Sequence, residues 1–98
     1  MEATPYGVVH FFPGGTKDQY EASIAVTHPG EGRLPDGQIF HAGGSSAGGW
    51  TIIGVHESKE SWEKFRDGIL LPRMQQGIEG GFASPTEETV IDLYKIIR

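Results

Sequence analysis

Residues 50–65 have the sequence WTIIGVHESKESWEKF, in which a strand passes directly into a helix. The β-branched and apolar run at residues 50–56 is typical of a strand. Ser58 is a natural N-cap, because its hydroxyl can accept a hydrogen bond from the free backbone amides at the start of a helix. Trp62 and Phe65 are three positions apart and therefore share one helical face. This stretch predicts a strand followed by a helix with an aromatic side.

The remaining elements extend outward from this stretch. They are a strand at residues 6–12, a helix that begins at the capping-box pattern Thr16–Gln19, a strand at 38–42, a long hairpin loop at 43–49 and a last strand at 89–97. Pro72 lacks an amide proton, so we expect a kink or a restart of the second helix there. The order strand-helix-strand-strand-helix-strand predicts an α+β fold with a four-stranded antiparallel sheet and both helices on one face. We expect one domain over residues 1–98.

Composition limits the class of protein. The chain has 98 residues, 37% of them hydrophobic, and a formal net charge of −5. A chain this small buries a modest share of its surface, so pairing with a second copy would stabilise it. The acidic balance disfavours nucleic-acid binding, and the longest apolar run, at residues 69–71, is too short to span a bilayer. With no cysteine and no signal-like pattern at residues 1–5, we expect a cytoplasmic protein.

Side chains alternate between the two faces of a strand, so the two faces can be compared. One set is mainly small or aliphatic, with Phe11 as its one ring: Gly7, Val9, Phe11, Thr51, Ile53 and Val55. The other set carries larger rings and two histidines: Tyr6, Val8, His10, Phe12, Trp50, Ile52, Gly54 and His56. We expect the first set under the helices and the second set on the side without helices, where such an apolar patch marks an interface or a ligand groove. Two such sheets facing each other would form a homodimeric barrel with a partly polar lumen.

Residues 49–65 resemble the strand-to-helix segment of the antibiotic biosynthesis monooxygenase-like proteins, which belong to the dimeric α/β-barrel superfamily. Members often have a strand that ends in an aromatic residue followed by Glu and Ser, and then a helix with two aromatic residues. The corresponding positions here are His56-Glu57-Ser58, Trp62 and Phe65. Residues 10–14 and 90–94 also fall where the superfamily places strands.

The resemblance implies a ferredoxin-like fold, a homodimer and a small-molecule pocket between the sheet and the helices. The superfamily includes cofactor-independent oxygenases of aromatic polyketides, haem-degrading enzymes, lactone isomerases and polyketide cyclases, and the fold alone does not choose among them. Haem-degrading members carry a histidine on the second helix at a position that Gln75 occupies here. We therefore expect no haem, and no other cofactor.

Three residues are our candidates for acid–base chemistry. His10 and His56 lie on the first and third strands, the central neighbours of the predicted sheet, and an imidazole can take a proton from a phenol or an acidic carbon. Tyr94, on the last strand, is placed to orient a substrate oxygen. In the alternative interpretations, His56 only caps the edge of the barrel and Tyr94 is an ordinary edge-strand residue.

The candidate substrate-binding residues are Tyr6, Phe12, His41, Trp50, Phe65 and Arg73. The aromatic ones would stack on a planar ligand, and Arg73 would hold a carboxylate or phenolate unless it is simply a solvated arginine. His41 would pair with Thr51 in a symmetric hairpin and face the helices, whereas one bulge would turn it into the lumen. We expect no metal site, because His10, His41 and His56 include no close His-x-His pair.

The leading hypothesis is a small homodimeric barrel that binds a hydrophobic or aromatic small molecule. It would act as a cofactor-independent monooxygenase, cyclase or isomerase through histidine acid–base chemistry. The first alternative is a non-catalytic ligand-binding or stress-associated barrel. The second is a structural dimer whose lumen is filled by side chains.

Overall fold

The structure is a computed structural model that describes residues 4–30 and 32–97. Its strands are β1 (Tyr6–Pro13), β2 (Gln38–Ser46), β3 (Gly49–His56) and β4 (Glu87–Asp92). Its helices are α1 (Lys17–Thr27), α2 (Lys59–Phe65) and α3 (Leu71–Gln76), and a π-helical segment (Arg66–Leu70) joins α2 to α3. Residues 1–3, part of the N-terminus in which we expect no signal segment, lie outside the described residues. Within the described residues, no helix is long and apolar enough to cross a membrane.

The four strands form one antiparallel sheet in the order β2-β3-β1-β4, with β1 and β3 in the centre. Tyr6 at the start of β1 lies opposite His56 at the end of β3. Both helical layers lie on the same face, because Tyr20 of α1 contacts His41 and Trp62 of α2 contacts His56. The predicted α+β fold, with a ferredoxin-like order of elements and both helices on one face, is confirmed.

Side-chain caps begin both helices where the sequence predicts them. The Thr16 hydroxyl accepts a hydrogen bond from the Gln19 amide at 3.2 Å, and the Gln19 side chain accepts one from the Thr16 amide at 3.1 Å. The Ser58 hydroxyl accepts a hydrogen bond from the Ser61 amide at 3.1 Å. These bonds satisfy amides that have no partner inside the helix, so the starting points of α1 and α2 are set locally.

The second helix changes its hydrogen-bond pattern just before Pro72. Through Arg66–Leu70 it is π-helical, and the Leu71 amide donates to the Arg66 carbonyl. Since Pro72 has no amide, a continuous α-helix would leave the carbonyl of Gly68 without its donor. The expected restart is present, because α3 begins at Leu71 with the proline in its first turn, where proline is tolerated.

The expected assignment of the two sheet faces is wrong. The set that contains His10, Trp50 and His56 faces the helices, since the His10 and His56 rings lie 5.7 and 5.5 Å from the Trp62 ring. Large rings belong on this side because they span the space between the sheet and the helices, which small aliphatic side chains would leave empty. The opposite side of the sheet, here called the open face, carries Val9, Phe11, Phe40, Ile53, Val55 and Ile91.

The hairpin between β2 and β3 is tighter than the sequence suggests. A two-residue turn, Ala47-Gly48, replaces the predicted long loop. Gly48 has a φ of +82°, a conformation that glycine adopts at little cost. His41 therefore pairs with Gly54 rather than with Thr51. It still faces the helices, as expected for a symmetric hairpin.

The last strand stops earlier than predicted. It ends at Asp92, which pairs with Tyr6, the first residue of β1. Beyond this point β1 offers no further strand residue, and the Leu93 amide donates instead to the Pro5 carbonyl at 3.1 Å. Tyr94 therefore lies outside the strand and is 95% exposed.

Gly49→Ala should destabilise the fold, whereas Gly44→Ala should not. A Cβ at Gly49 would overlap the carbonyl oxygen of Phe12, and nothing lies near a Cβ at Gly44. We expect Gly49→Ala to lower the free energy of unfolding by about 1–3 kcal/mol, as forced overpacking does. Gly44→Ala should change it by less than about 0.5 kcal/mol. Urea titrations followed by tryptophan fluorescence measure both, and equal midpoints would contradict the close approach at Gly49.

Candidate functional site

A cavity of about 400 Å³ lies between the sheet and the helices. Its apolar and aromatic lining residues are Val8, Phe12, Ile24, Ile52, Trp62, Phe65, Leu70, Leu71, Met74, Ile78 and Phe82. Small-molecule sites in proteins have this size and are lined mainly by such side chains, with a few polar groups among them. The cavity is on the helix side of the sheet, where the family resemblance implies a pocket.

All four histidines of the chain line this cavity. His10, His41 and His56 come from β1, β2 and β3, and each points from the sheet toward the helices. His28 comes from the other layer. It follows the last residue of α1, where its backbone amide donates to the Ile24 carbonyl at 3.0 Å. The sheet and α1 therefore bring imidazoles into the cavity from two directions.

His10 is paired with a carboxylate. Its Nε2 lies 2.9 Å from Oε2 of Glu88. The sheet register explains this contact, because His10 on β1 is directly opposite Glu88 on β4. A carboxylate only accepts hydrogen bonds, so Nε2 carries a proton and donates it. In the neutral ring, Nδ1 is then the nitrogen that can accept a proton.

His56 is completely buried, with 0% of its surface exposed. Its Nε2 lies 3.1 Å from the amide nitrogen of Gln38, and its Nδ1 lies 3.4 Å from the Ser61 hydroxyl. With the Gln38 amide nitrogen as the donor, His56 Nε2 accepts and the ring proton is on Nδ1, facing Ser61. Both ring nitrogens are thus engaged within the protein, and His56 links β2, β3 and α2.

His41 is hydrogen-bonded to a phenol. Its Nε2 lies 2.6 Å from the Tyr20 hydroxyl, and the two rings are stacked. Burial, with a contribution from Glu21, raises the pKa of Tyr20, so the phenol keeps its proton. The His28 ring stands edge-on to the His41 ring at a centroid distance of 4.6 Å. Tyr20, His41 and His28 therefore form one continuous polar group at the side of the cavity next to α1.

Burial keeps three of the histidines neutral. It lowers the pKa of His28 to about 4, and His41 adds to this effect. It also lowers the pKa of His56 to about 4, with a further contribution from His28, and it lowers the pKa of His41. At pH 7 these side chains carry no charge. Each offers one hydrogen-bond donor and one acceptor to its surroundings.

Five of the predicted site residues line the cavity: His10, Phe12, His41, His56 and Phe65. Four others do not line it. Tyr6 and Trp50 are buried in the adjoining packing. Arg73 is exposed on α3, and Tyr94 is exposed beyond the end of β4. The structure therefore does not bring the candidate phenol of Tyr94 or the candidate cation of Arg73 to this cavity.

His28 and Glu88 line the cavity although no sequence pattern singles them out. His28 stands between a helix end and Pro29, a position where an exposed cap is the simplest expectation. Glu88 precedes the predicted last strand, and only the register of β4 against β1 places it beside His10.

Among residues 4–30 and 32–97, no group of three or more His, Cys, Asp or Glu side chains is arranged to hold a metal ion. No protein-family model matches the chain, and searches of curated proteins and of solved structures find no significant match. The resemblance to the antibiotic biosynthesis monooxygenase-like proteins therefore rests on the residues quoted for it and stays a prediction.

The free energy of unfolding should fall as the pH is lowered from 7 to 5. Unfolded histidine titrates near pH 6.5, whereas His28 and His56 in the folded state titrate at about 4. Between pH 7 and pH 5, His28 and His56 bind protons in the unfolded chain but not in the folded chain, so acid favours unfolding. Urea midpoints measured across this pH range test this. His28→Asn should flatten the dependence, and a stability that rises on acidification would contradict it.

Proposed function

We propose that the protein is a cofactor-independent enzyme of the monooxygenase, cyclase or isomerase type. It removes a proton from an aromatic or other hydrophobic small molecule held in the cavity. The observation that carries this proposal is the pair formed by His10 and Glu88 at the wall of an apolar cavity. The resemblance of residues 49–65 to the antibiotic biosynthesis monooxygenase-like proteins supports it independently.

The proposed chemistry follows from the tautomer of His10. Because Glu88 holds the proton on Nε2, the lone pair of Nδ1 is the base. A proton passes from a phenolic O–H or an acidic C–H of the ligand to Nδ1, and a phenolate or a carbanion remains. The Glu88 carboxylate stabilises the imidazolium that forms. The His10 side chain is 12% exposed, whereas the Glu88 side chain is 42% exposed, so water partly screens this interaction.

The walls near His10 favour a planar ligand. The Phe12 and Phe82 rings are stacked at a centroid distance of 3.8 Å and are almost parallel. The His10 ring lies 5.7 Å from the Trp62 ring and 6.3 Å from the Phe12 ring. Flat aromatic surfaces pack well against flat ligands, either stacked or edge-on. This supports an aromatic substrate over a flexible aliphatic one.

A second candidate function is ligand binding without catalysis. It is favoured by the state of the other histidines, since His28, His41 and His56 are neutral and two of them are bonded within the protein. Under this alternative His10 is one more hydrogen-bonding wall residue. Turnover separates the two functions, because both require that the ligand binds.

We also propose that two copies pair through the open face. Phe40, Ile53 and Ile91 on this face are 51%, 42% and 41% exposed. An apolar sheet face of this kind is normally covered by a partner. As first expected, the pairing face is the side of the sheet without helices, but it carries the set with Val9 and Ile53 instead of the set with His10 and His56. A cytoplasmic location stays a prediction from composition.

His10→Asn should slow turnover strongly while the ligand still binds. Native mass spectrometry of protein purified from its own host identifies a retained compound. Its turnover is then followed as product formation in air or as exchange of an acidic C–H with heavy water. Loss of the base should slow turnover by roughly 10²–10⁴-fold. Glu88→Gln should slow it as well, because the amide cannot stabilise the imidazolium.

Glu87→Gln is the matched control for these variants. Glu87 lies opposite Phe11, on the face away from the cavity, so the turnover should be unchanged. Unchanged turnover in His10→Asn would remove His10 as the base. A wild-type protein that binds the compound tightly and never converts it would favour the binding-only function.

Ile53→Asp should convert the proposed dimer into a monomer. A carboxylate at this position would be buried against an apolar partner face, which should weaken association by roughly a hundredfold or more. Val26→Asp is the control, since Val26 is 43% exposed but lies on α1. Sedimentation equilibrium of the wild type and both variants measures the effect. A wild type that is monomeric at micromolar concentration would overturn the proposal.

A further inference from the structure

We propose that His28 is the hydrogen-bonding contact by which the cavity recognises its ligand, and that the ligand presents an uncharged hydroxyl or carbonyl oxygen there rather than a carboxylate. This inference rests on the proposed function, since it specifies which aromatic molecules the cavity accepts. It makes His28 a specificity-determining residue in addition to the acid–base pair of His10 and Glu88.

The hydrogen-bond partners of the four histidines distinguish His28 from the rest. His10 is bonded to Glu88, His41 to Tyr20, and His56 to Gln38 and Ser61. Among residues 4–30 and 32–97, the ring nitrogens of His28 have no hydrogen-bond partner, and they are not among the side-chain atoms buried without one. Those nitrogens are therefore accessible, and the residue lines the cavity.

The His28 ring is held in place although it makes no side-chain hydrogen bond to residues 4–30 or 32–97. The His41 ring meets it edge-on at 4.6 Å, and the Phe65 ring meets it edge-on at 6.2 Å. At the backbone, its amide is fixed by the bond to the Ile24 carbonyl at 3.0 Å. A ring that is positioned in this way offers a ligand one donor and one acceptor at little cost in conformational entropy.

The charges around the cavity disfavour a carboxylate ligand. Among the described residues that line it, Arg66 is the only lysine or arginine. Its guanidinium donates to both carboxylate oxygens of Asp67, at 2.8 and 3.2 Å, and lies 4.0 Å from Glu63. The Glu88 carboxylate adds a further negative charge to the wall. An anionic ligand would thus lose its hydration without gaining a free counter-ion, which is unfavourable.

The two polar ends of the cavity, at His28 and at His10, lie close enough together for one ligand to contact both. His41, which contacts His28, is on β2, and His10 is on β1, with β3 between them. Neighbouring strands are separated by about 4.8 Å, so these two histidines are roughly 10 Å apart across the sheet. A molecule with two aromatic rings has this length. It can place one end against His28 and its acidic proton near His10.

Three biphenyl probes of similar shape test the inference. They are para-phenylphenol, which is neutral and forms hydrogen bonds, para-phenyltoluene, which cannot form them, and para-phenylbenzoate, which is an anion. We expect the phenol to bind the wild-type protein about tenfold more tightly than the toluene, as one hydrogen bond to a shielded partner allows. The benzoate should bind at least about tenfold more weakly than the phenol. Quenching of tryptophan fluorescence at pH 7 gives the three affinities.

Variants at position 28 assign the preference to the imidazole. His28→Phe keeps the ring but not the nitrogens, so it should bind the phenol and the toluene equally while its affinity for the toluene stays within about twofold of wild type. His28→Gln keeps a donor and an acceptor and should restore part of the preference. Val26→Ala, at an exposed position of α1, is the control and should keep the full preference. Nitrogen NMR of the His28 ring should respond to the phenol and not to the toluene.

The outcomes separate this inference from the proposed function. If the toluene and the phenol both bind, but His28→Phe keeps the tenfold preference or the benzoate binds most tightly, the role of His28 is wrong and the aromatic site stands. If none of the three probes binds, the aromatic site is wrong and the role of His28 falls with it. Should His28→Phe fail to fold, the wild-type affinities, His28→Gln and the ring NMR still decide the question.

Discussion

The packing of Trp62 and Phe65 against the His56 ring holds the helical layer on the sheet. The two aromatic rings lie 5.5 and 5.7 Å from the imidazole, which is the last residue of β3 and is fully buried. Because the chain enters α2 only a few residues later, this contact fixes the direction in which the helix returns over the sheet. A neutral imidazole suits the position, since it can be buried without a counter-ion when both of its nitrogens are bonded. The roof of the cavity is built on this contact.

The order of the elements and the starts of both helices could be predicted, because they depend on local signals. Thr16 and Ser58 act on amides only a few residues away, and Pro72 acts on its own turn. Which face of the sheet the helices cover could not be predicted from composition. Strand alternation separates two sets of side chains, but it does not say which set the helices cover. The choice depends on how much space the helices leave above the sheet, and here rings such as Trp50 occupy it.

The candidate site was predictable where a single strand determines it, and not where two distant segments meet. His10 and His41 lie on strands whose pattern is clear. The partners Glu88 and Tyr20 depend on the register of β4 against β1 and on the position of α1 over β2. Tyr94 shows the limit of a local strand signal. Its surroundings favour a strand, but β1 begins at Tyr6 and leaves it without a pairing partner. The length of a neighbour, not the sequence around Tyr94, decides where the strand ends.

The π-helical segment has a consequence for the shape of the cavity. A π turn holds one more residue than an α turn, so the side chains that follow it are rotated by about 100° around the helix axis. Leu70, Leu71 and Met74 end or follow this segment and line the cavity together with Trp62 and Phe65, which precede it. The part of the roof beyond the π-helical segment therefore depends on the extra residue, whereas the part that packs on the sheet does not. Removing one residue from Arg66–Leu70 would turn different side chains into the cavity while the contacts of Trp62 and Phe65 stay the same, so the shape of the cavity can change without rebuilding the fold.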